Sequence, residues 1–122
     1  MTVKTGLEFD LEAFRRAYED WDIETLSGLY ADDVELVQID RESPPSAPRV
    51  RRGRDVLRGM FEHCAAAGVQ ATVRNALAGN DRAAATITCR FPGGREVVAN
   101  SILELEDGRI VRERAVQAGD PR

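Results

Sequence analysis

The stretch that decides the fold lies in the second half of the chain, where residues 69–117 read VQATVRNALAGNDRAAATITCRFPGGREVVANSILELEDGRIVRERAVQ. Apolar and polar residues alternate along much of it with a period of two, which predicts strands that are buried on one face. Turn sequences at residues 79–81, 92–94 and 107–108 divide it into four strands. Three successive hairpins therefore predict an antiparallel sheet.

Helices are predicted before this stretch. Apolar residues recur at helical spacing up to about Asp20, with Asp10 as the N-cap, although residues 5–8 offer an earlier start. Similar patterns predict a short helix at residues 23–29 and a third helix at residues 53–67. Helices that precede strands predict an α+β domain whose helices cover one face of the sheet. The length of 122 residues fits a single domain over residues 1–122.

The segment between the second and third helices is predicted to contain one strand and one loop. Residues 34–40 are rich in β-branched and apolar side chains, which favours a strand. Residues 41–52 contain Pro44, Pro45 and Pro48, and proline lacks an amide donor. We therefore expect an exposed loop over residues 41–52.

Composition disfavours several classes of partner. The chain has 17 Lys and Arg against 21 Asp and Glu, a net charge of −4, so a nucleic-acid partner is not expected. It contains no apolar run long enough to span a membrane, and residues 1–6 lack the apolar core of a signal peptide. We expect a cytoplasmic protein without a membrane partner.

Metal and cofactor chemistry find no support in the sequence. The only histidine, His63, adjoins Cys64, and neighbouring side chains on a helix diverge by about 100°, so the two do not share a metal. Cys64 and Cys89 are expected to be reduced core residues. Glycine-rich nucleotide motifs are absent. We expect no cofactor, so acid–base chemistry would fall to Asp, Glu, Tyr or Arg.

The strand predicted at about residues 95–106 is apolar on both faces. Val98 and Ile102 flank Asn100 on the face opposite the core-facing residues. Three helices are too few to cover both faces, so a second copy is predicted to cover the outer one, with Thr86 and Thr88 nearby. The alternative is a few isolated, exposed aliphatic side chains.

Three segments resemble a known superfamily. WDIETLSGLYADDV at residues 21–34, GRDVLR at 53–58 and LEDGRIV at 105–111 resemble the nuclear transport factor two-like superfamily, with the SnoaL-like polyketide cyclases and ketosteroid isomerases as the most similar branches. The resemblance implies a cone, in which a curved antiparallel sheet wraps around helices and encloses an apolar pocket, frequently in a homodimer. These motifs are structural, so they specify the fold better than the chemistry.

The resemblance does not extend to the ketosteroid isomerase residues. The position of the general base holds Gln38, that of the oxyanion-donating tyrosine holds Phe14, and that of the second carboxylic acid falls near Ser101. Ketosteroid isomerase activity is therefore not expected.

The candidate site is a set of inward-facing residues. Leu36, Gln38 and Asp40 share one strand face, and Tyr18 and Ser101 could add hydroxyl groups. Asp40 with Tyr18 forms a candidate acid–base pair, although a turn-capping Asp40 and a core-packed Tyr18 are the alternatives. The ligand-binding wall is predicted to consist of Phe14, Trp21, Leu36, Gln38, Leu57, Met60, Phe61, Ser101 and Leu103.

Arginines form a second feature. Residues 49–58 contain five of them, which could bind an anionic group or pair with neighbouring acids. Arg114 is expected to pair with Glu104 or Glu113. Two functions stay open: a cofactor-independent isomerase, cyclase or dehydratase acting on an apolar cyclic or polyketide-like molecule, and a non-catalytic ligand-binding or dimerisation module.

Overall fold

The structure, a computed structural model, describes residues 8–122 as three helices and six strands. Their order matches the predicted α+β class, with helices mainly in the first half and strands mainly in the second. In chain order the elements are α1 Leu11–Asp20, α2 Ile23–Gly28, β1 Tyr30–Ile39, β2 Arg49–Arg52, α3 Arg54–Ala66, β3 Gln70–Ala78, β4 Arg82–Arg90, β5 Glu96–Glu106 and β6 Arg109–Gly119.

The six strands form one curved sheet in the order β2-β1-β6-β5-β4-β3. The three predicted hairpins are confirmed, because β3, β4, β5 and β6 pair as antiparallel neighbours. One pair differs from an all-antiparallel sheet: β1 lies parallel to β6. No hairpin joins these two strands, so the turn sequences carry no information about their relative direction.

The ends of the helices follow local capping chemistry. Asp10 Oδ1 accepts a hydrogen bond from the Ala13 amide at 2.9 Å, so α1 begins at Leu11 as the N-cap predicts. The alternative start at residues 5–8 lies largely outside the described residues. Gly68 follows α3 with a φ of +76°, a conformation that glycine adopts without strain.

The prediction of a loop over residues 41–52 is wrong for its last four residues. Arg49–Arg52 forms β2, which pairs antiparallel with β1 from Glu35 to Gln38. The three prolines all precede β2, so the amides of its residues are free to join the sheet edge. This pairing brings an arginine-rich strand alongside β1.

The core lies between the helices and the inner face of the sheet. Phe14, Leu26, Leu57 and Leu103 are fully buried there, and Phe61 nearly so. Aromatic rings form much of this core, with Tyr18 in edge-to-face contact with Phe61 at a centroid distance of 5.5 Å. Within residues 8–122, no helix is both long and apolar enough to cross a membrane.

Candidate functional site

A cavity of about 320 Å³ opens between the inner face of the sheet and helices α1 and α3. Strands β1, β4, β5 and β6 form its floor, and α3 supplies most of its apolar roof. Leu57, Met60 and Phe61 from α3 face Ile87 and Ala99 from the sheet. The volume is at the small end of the range for ligand pockets.

A buried carboxyl group lies on the wall of this cavity. Glu113 on β6 is only 4% exposed. Its Oε1 accepts a hydrogen bond from the Tyr30 hydroxyl at 2.8 Å, and its Oε2 accepts one from the Ser101 hydroxyl at 2.8 Å. Burial raises the pKa of Glu113 above its usual value, and the two hydrogen bonds offset part of that effect. Glu113 therefore holds its proton to a higher pH than an exposed glutamate.

A bulge in β6 turns Glu113 inward. Glu104 pairs with Arg112 and Leu105 pairs with Ile110, which leaves Val111 as an extra residue. Ile110 and Glu113 are consequently both buried, although they are three positions apart. Strict alternation from Ile110 would point Glu113 outward, and for this reason Glu113 was not predicted as a site residue. Alternation counted back from Ala115, which is apolar and buried, would have placed Glu113 on the inner face.

Two tyrosines connect this carboxyl group to the helices. The Tyr30 hydroxyl donates to Glu113, and the Tyr18 hydroxyl lies beside that of Tyr30. Burial raises the pKa of both tyrosines well above the usual value, and the nearby Glu113 raises them further. Both phenols therefore stay protonated. Tyr18, predicted from the sequence as a site residue, lines the cavity.

Gln38 presents a fixed amide to the cavity. Its side chain lines the wall and is 8% exposed, and its Oε1 accepts a hydrogen bond from Arg51 Nε at 2.9 Å. Because Arg51 is only a donor, the carbonyl side of the amide must face it. The Nε2 group of Gln38 is thereby left as a donor for another partner.

Asp40 lies at the mouth of the cavity, where β1 ends. Its Oδ1 accepts hydrogen bonds from the backbone amides of Glu42 at 2.9 Å and Ser43 at 2.7 Å. Asp40 therefore caps a turn, which is the alternative to a catalytic role that the sequence offered for it. Asp40 nevertheless borders the cavity, so its catalytic role stays a prediction.

The predicted wall is only partly assembled. Leu36, Leu57, Met60, Phe61 and Ser101 line the cavity together with Gln38. Phe14, Trp21 and Leu103 lie outside the wall. Phe14 is fully buried behind Tyr18, at a ring centroid distance of 5.2 Å. Trp21 donates its indole N–H to the Val69 carbonyl at 2.6 Å, away from the cavity.

Four of the five arginines at residues 49–58 have protein partners. Arg51 binds Gln38, Arg52 pairs with Glu35 at 3.2 Å, Arg54 pairs with Asp32 at 2.6 Å and Arg58 pairs with Glu24. Arg49 instead lines the cavity mouth.

The expected pairing of Arg114 with Glu104 or Glu113 is wrong. Arg114 lies on the outer face of β6, opposite Ile102. Glu104 pairs instead with Arg82 at 3.6 Å and with Arg112 at 3.8 Å. Glu113 is turned to the inner face by the bulge.

Within residues 8–122, no group of three or more His, Cys, Asp and Glu side chains is arranged to hold a metal ion. The thiols of Cys64 and Cys89 are free, as predicted, but they lie half-buried on the cavity wall rather than deep in the core. Burial raises the pKa of Cys89 to about 11, which leaves this thiol protonated and unreactive at neutral pH.

Comparison with known proteins identifies relatives of the whole fold. The profile of the SnoaL-like domain matches residues 11–113. No curated protein matches the chain.

Several solved structures match most of the chain. A putative ketosteroid isomerase from Kribbella flavida is 20% identical, with a TM-score of 0.73 over 91% of this chain and 76% of that one. An NTF2-like protein of unknown function from Mesorhizobium loti is 19% identical, with a TM-score of 0.73 over 88% and 87%. An LEH-like epoxide hydrolase from M. tuberculosis is 18% identical, with a TM-score of 0.65 over 88% and 78%. At these identities the likeness shows the fold alone.

Proposed function

Because this chain belongs to the SnoaL-like domain family, we propose that its cavity hosts cofactor-independent acid–base chemistry on a small apolar molecule, cyclic or polyketide-like. One observation carries the proposal: Glu113 is a buried carboxyl group on an otherwise largely apolar wall. Buried carboxyl groups with raised pKa values are suited to proton transfer near neutral pH. The names of the similar structures, an isomerase and an epoxide hydrolase, are compatible with pocket chemistry.

In this proposal Glu113 is the group that moves the proton. As a carboxylate it removes a proton from a carbon next to a carbonyl group, and the electron pair of that C–H bond shifts toward the carbonyl oxygen. The Tyr30 and Ser101 hydroxyls hold the two carboxylate oxygens in position. Return of the proton to another carbon gives an isomerisation, and its delivery to a leaving hydroxyl group gives a dehydration.

The developing negative charge on the substrate oxygen needs a donor. Gln38 supplies one, since Arg51 holds its carbonyl oxygen and leaves Nε2 free to donate. A donor that is fixed before the reaction stabilises such charge without reorganisation. Gln38, which cannot serve as a base, thus takes the role of an electrophilic group.

Asp40 is the second candidate for the proton-transfer group, as the sequence suggests. The turn that it caps holds its carboxylate at the cavity mouth, farther from the apolar wall. The non-catalytic alternative, a ligand-binding or dimerisation module, is favoured by the absence of the ketosteroid isomerase residues at Phe14 and Gln38.

Hydrogen–deuterium exchange tests this proposal without knowledge of the natural substrate. Cyclic ketones such as 2-tetralone are incubated in D₂O with the protein, and loss of the signals of protons next to the carbonyl is followed by NMR. We expect catalysed exchange that Glu113→Gln abolishes and Asp40→Asn retains. The matched control is Glu104→Gln, a change at a partly exposed carboxylate on the outer face of β5.

The other outcomes are equally informative. Loss of exchange in Asp40→Asn, with retention in Glu113→Gln, would transfer the role to Asp40. Saturable binding of the ketones without exchange would favour the ligand-binding module. A cytoplasmic location and the lack of a cofactor stay predictions of the sequence.

A homodimer through the outer face of the sheet is also proposed. Val98, Ile102 and Val116 are 37%, 50% and 52% exposed, and they lie on the same face of β5 and β6. Thr86 and Asn100, joined by a hydrogen bond of 2.8 Å, lie among them. Exposed aliphatic side chains grouped on a sheet face are typical of a protein interface.

A further inference from the structure

Charge at the cavity mouth is positive on balance. Arg49, Arg95 and Arg122 line the cavity with Asp40, and the adjoining surface groove adds Arg41, Glu42 and Asp120. The oxygen Oδ1 of Asp40 is already bound to two backbone amides. Glu113, the other carboxyl group on the wall, lies deeper and is bound to Tyr30 and Ser101. The mouth therefore presents guanidinium groups that exceed the local acids.

The sheet register directs Arg49 toward the cavity. Gln38 and Arg49 are paired residues of antiparallel strands, and paired residues project from the same face of a sheet. Gln38 lines the cavity, so Arg49 shares its side. Among the described residues Arg49 forms no ion pair or side-chain hydrogen bond, in contrast to Arg51, Arg52 and Arg54 in the same run.

Arg95 approaches the mouth from the opposite side and is held in place. Its guanidinium group lies 5.2 Å from the centre of the Phe91 ring, and its Nε donates to the Asp120 carbonyl at 3.0 Å. These contacts leave the terminal Nη atoms without a hydrogen-bond partner in residues 8–122. A guanidinium group fixed in this way loses little freedom on binding an oxyanion.

We propose that the ligand is amphipathic, with an apolar body in the cavity and an anionic group bound at the mouth by Arg49 and Arg95. This inference rests on the proposed function, because it takes the same cavity as the ligand site. Apolar walls select the body of the ligand, and the two guanidinium groups select an oxyanion by charge-assisted hydrogen bonds. A carboxylate and a phosphate share this chemistry, and the test separates them.

The test compares probes that share a naphthyl body and carry different polar groups. Binding of 2-naphthylacetic acid, its primary amide and 2-naphthyl phosphate is measured by titration calorimetry and ligand-observed NMR. We expect an anion to bind about tenfold or more tightly than the amide, and this preference to weaken with added salt. The tighter of the two anions identifies the headgroup as a carboxylate or a phosphate.

Substitutions at the cavity mouth test where the anionic group binds. Arg49→Gln and Arg95→Gln should each reduce the preference for the anion about tenfold while the affinity for the amide is unchanged. Arg49→Lys and Arg95→Lys should restore part of it, since the charge remains and the planar fork is lost. Asp40→Asn keeps an oxygen to cap the turn and removes a negative charge, so it should strengthen anion binding. Arg109→Gln, at the start of β6, is the matched control.

Three results would overturn the inference. If the anions and the amide bind equally well while Glu113 still catalyses exchange, the ligand needs no anionic group. The inference is then wrong and the proposed function is unaffected. A preference for the anion that survives in both Arg49→Gln and Arg95→Gln places the anion elsewhere. Failure of every probe to bind, combined with absence of exchange, removes this inference and the proposed function together.

Discussion

The two faces of the same strands behave differently. On the inner face of β5 and β6, Ser101, Leu103 and Glu113 are at most 4% exposed, and the two polar groups bind each other. On the outer face, Ile102 and Val116 are half-exposed. Apolar content alone therefore does not distinguish the faces. The two faces differ in burial because the helices pack against only one of them.

The largest expected difference between the faces concerns packing. Leu103→Ala removes a fully buried side chain and should lower the free energy of unfolding by about 3 kcal/mol. Ile102→Ala, one residue away and half-exposed, should cost about 1 kcal/mol or less at dilutions where the chain is monomeric. Urea denaturation measures both. Equal costs would break the comparison, because they would mean that the outer face is as buried as the inner one.

A charge on the outer face tests what covers it. Ile102→Glu should weaken the proposed homodimer at least tenfold, because a carboxylate would lose its water at the interface and Arg114, opposite it, offsets only part of that cost. Analytical ultracentrifugation of the two proteins at micromolar concentrations measures the change. Val56→Glu, at a valine that is 47% exposed on α3 and therefore on the helical side of the sheet, is the matched control and should leave the association intact. If the parent chain is monomeric at these concentrations, the proposed homodimer is wrong.

The buried carboxyl group makes the inner face sensitive to pH. Burial raises the pKa of Glu113 in the folded state above the usual value of 4.5, which the unfolded chain retains. The folded state is therefore most stable, as far as Glu113 is concerned, below about pH 4.5, where this group is protonated in both states. That contribution to the free energy of unfolding is lost as the pH rises through the folded-state pKa. Relative to Glu113→Gln, the parent protein should lose stability over that window.

Denaturant titrations at a series of pH values check this prediction. Glu104→Gln, on the outer side of the same sheet, provides the control and should not show the same trend. Parallel stability curves for the parent and Glu113→Gln would mean that Glu113 has an ordinary pKa in the folded state.

The smallest expected effect is at Arg114, on the outer face. In residues 8–122 it forms no ion pair, so Arg114→Ala should change the free energy of unfolding by no more than about 0.5 kcal/mol. Thermal or urea denaturation of the dilute protein measures this. A loss well above 1 kcal/mol would show that Arg114 makes a structural contact on the outer face.

Much of the fold was predictable because it depends on neighbours in the chain. The N-cap at Asp10, the three hairpins and the amphipathic helices all follow from residues a few positions apart. Of the site, the Leu36, Gln38 and Asp40 face and the α3 wall could be placed from strand and helix periodicity. Glu113 could not, because one bulged residue, Val111, reverses the alternation that precedes it.

By itself, the sequence determined the element types, the hairpin order and an α+β domain, since these depend on short-range periodicity, caps and turns. The SnoaL-like family was indicated separately, by the resemblance of three segments. Only the tertiary structure decided that β1 lies parallel to β6, that β2 joins the sheet edge, and that Glu113 meets Tyr30 and Ser101. Tyr30 and Glu113 are 83 positions apart in the chain. Such contacts depend on how whole strands align, and no local pattern of residues encodes that alignment.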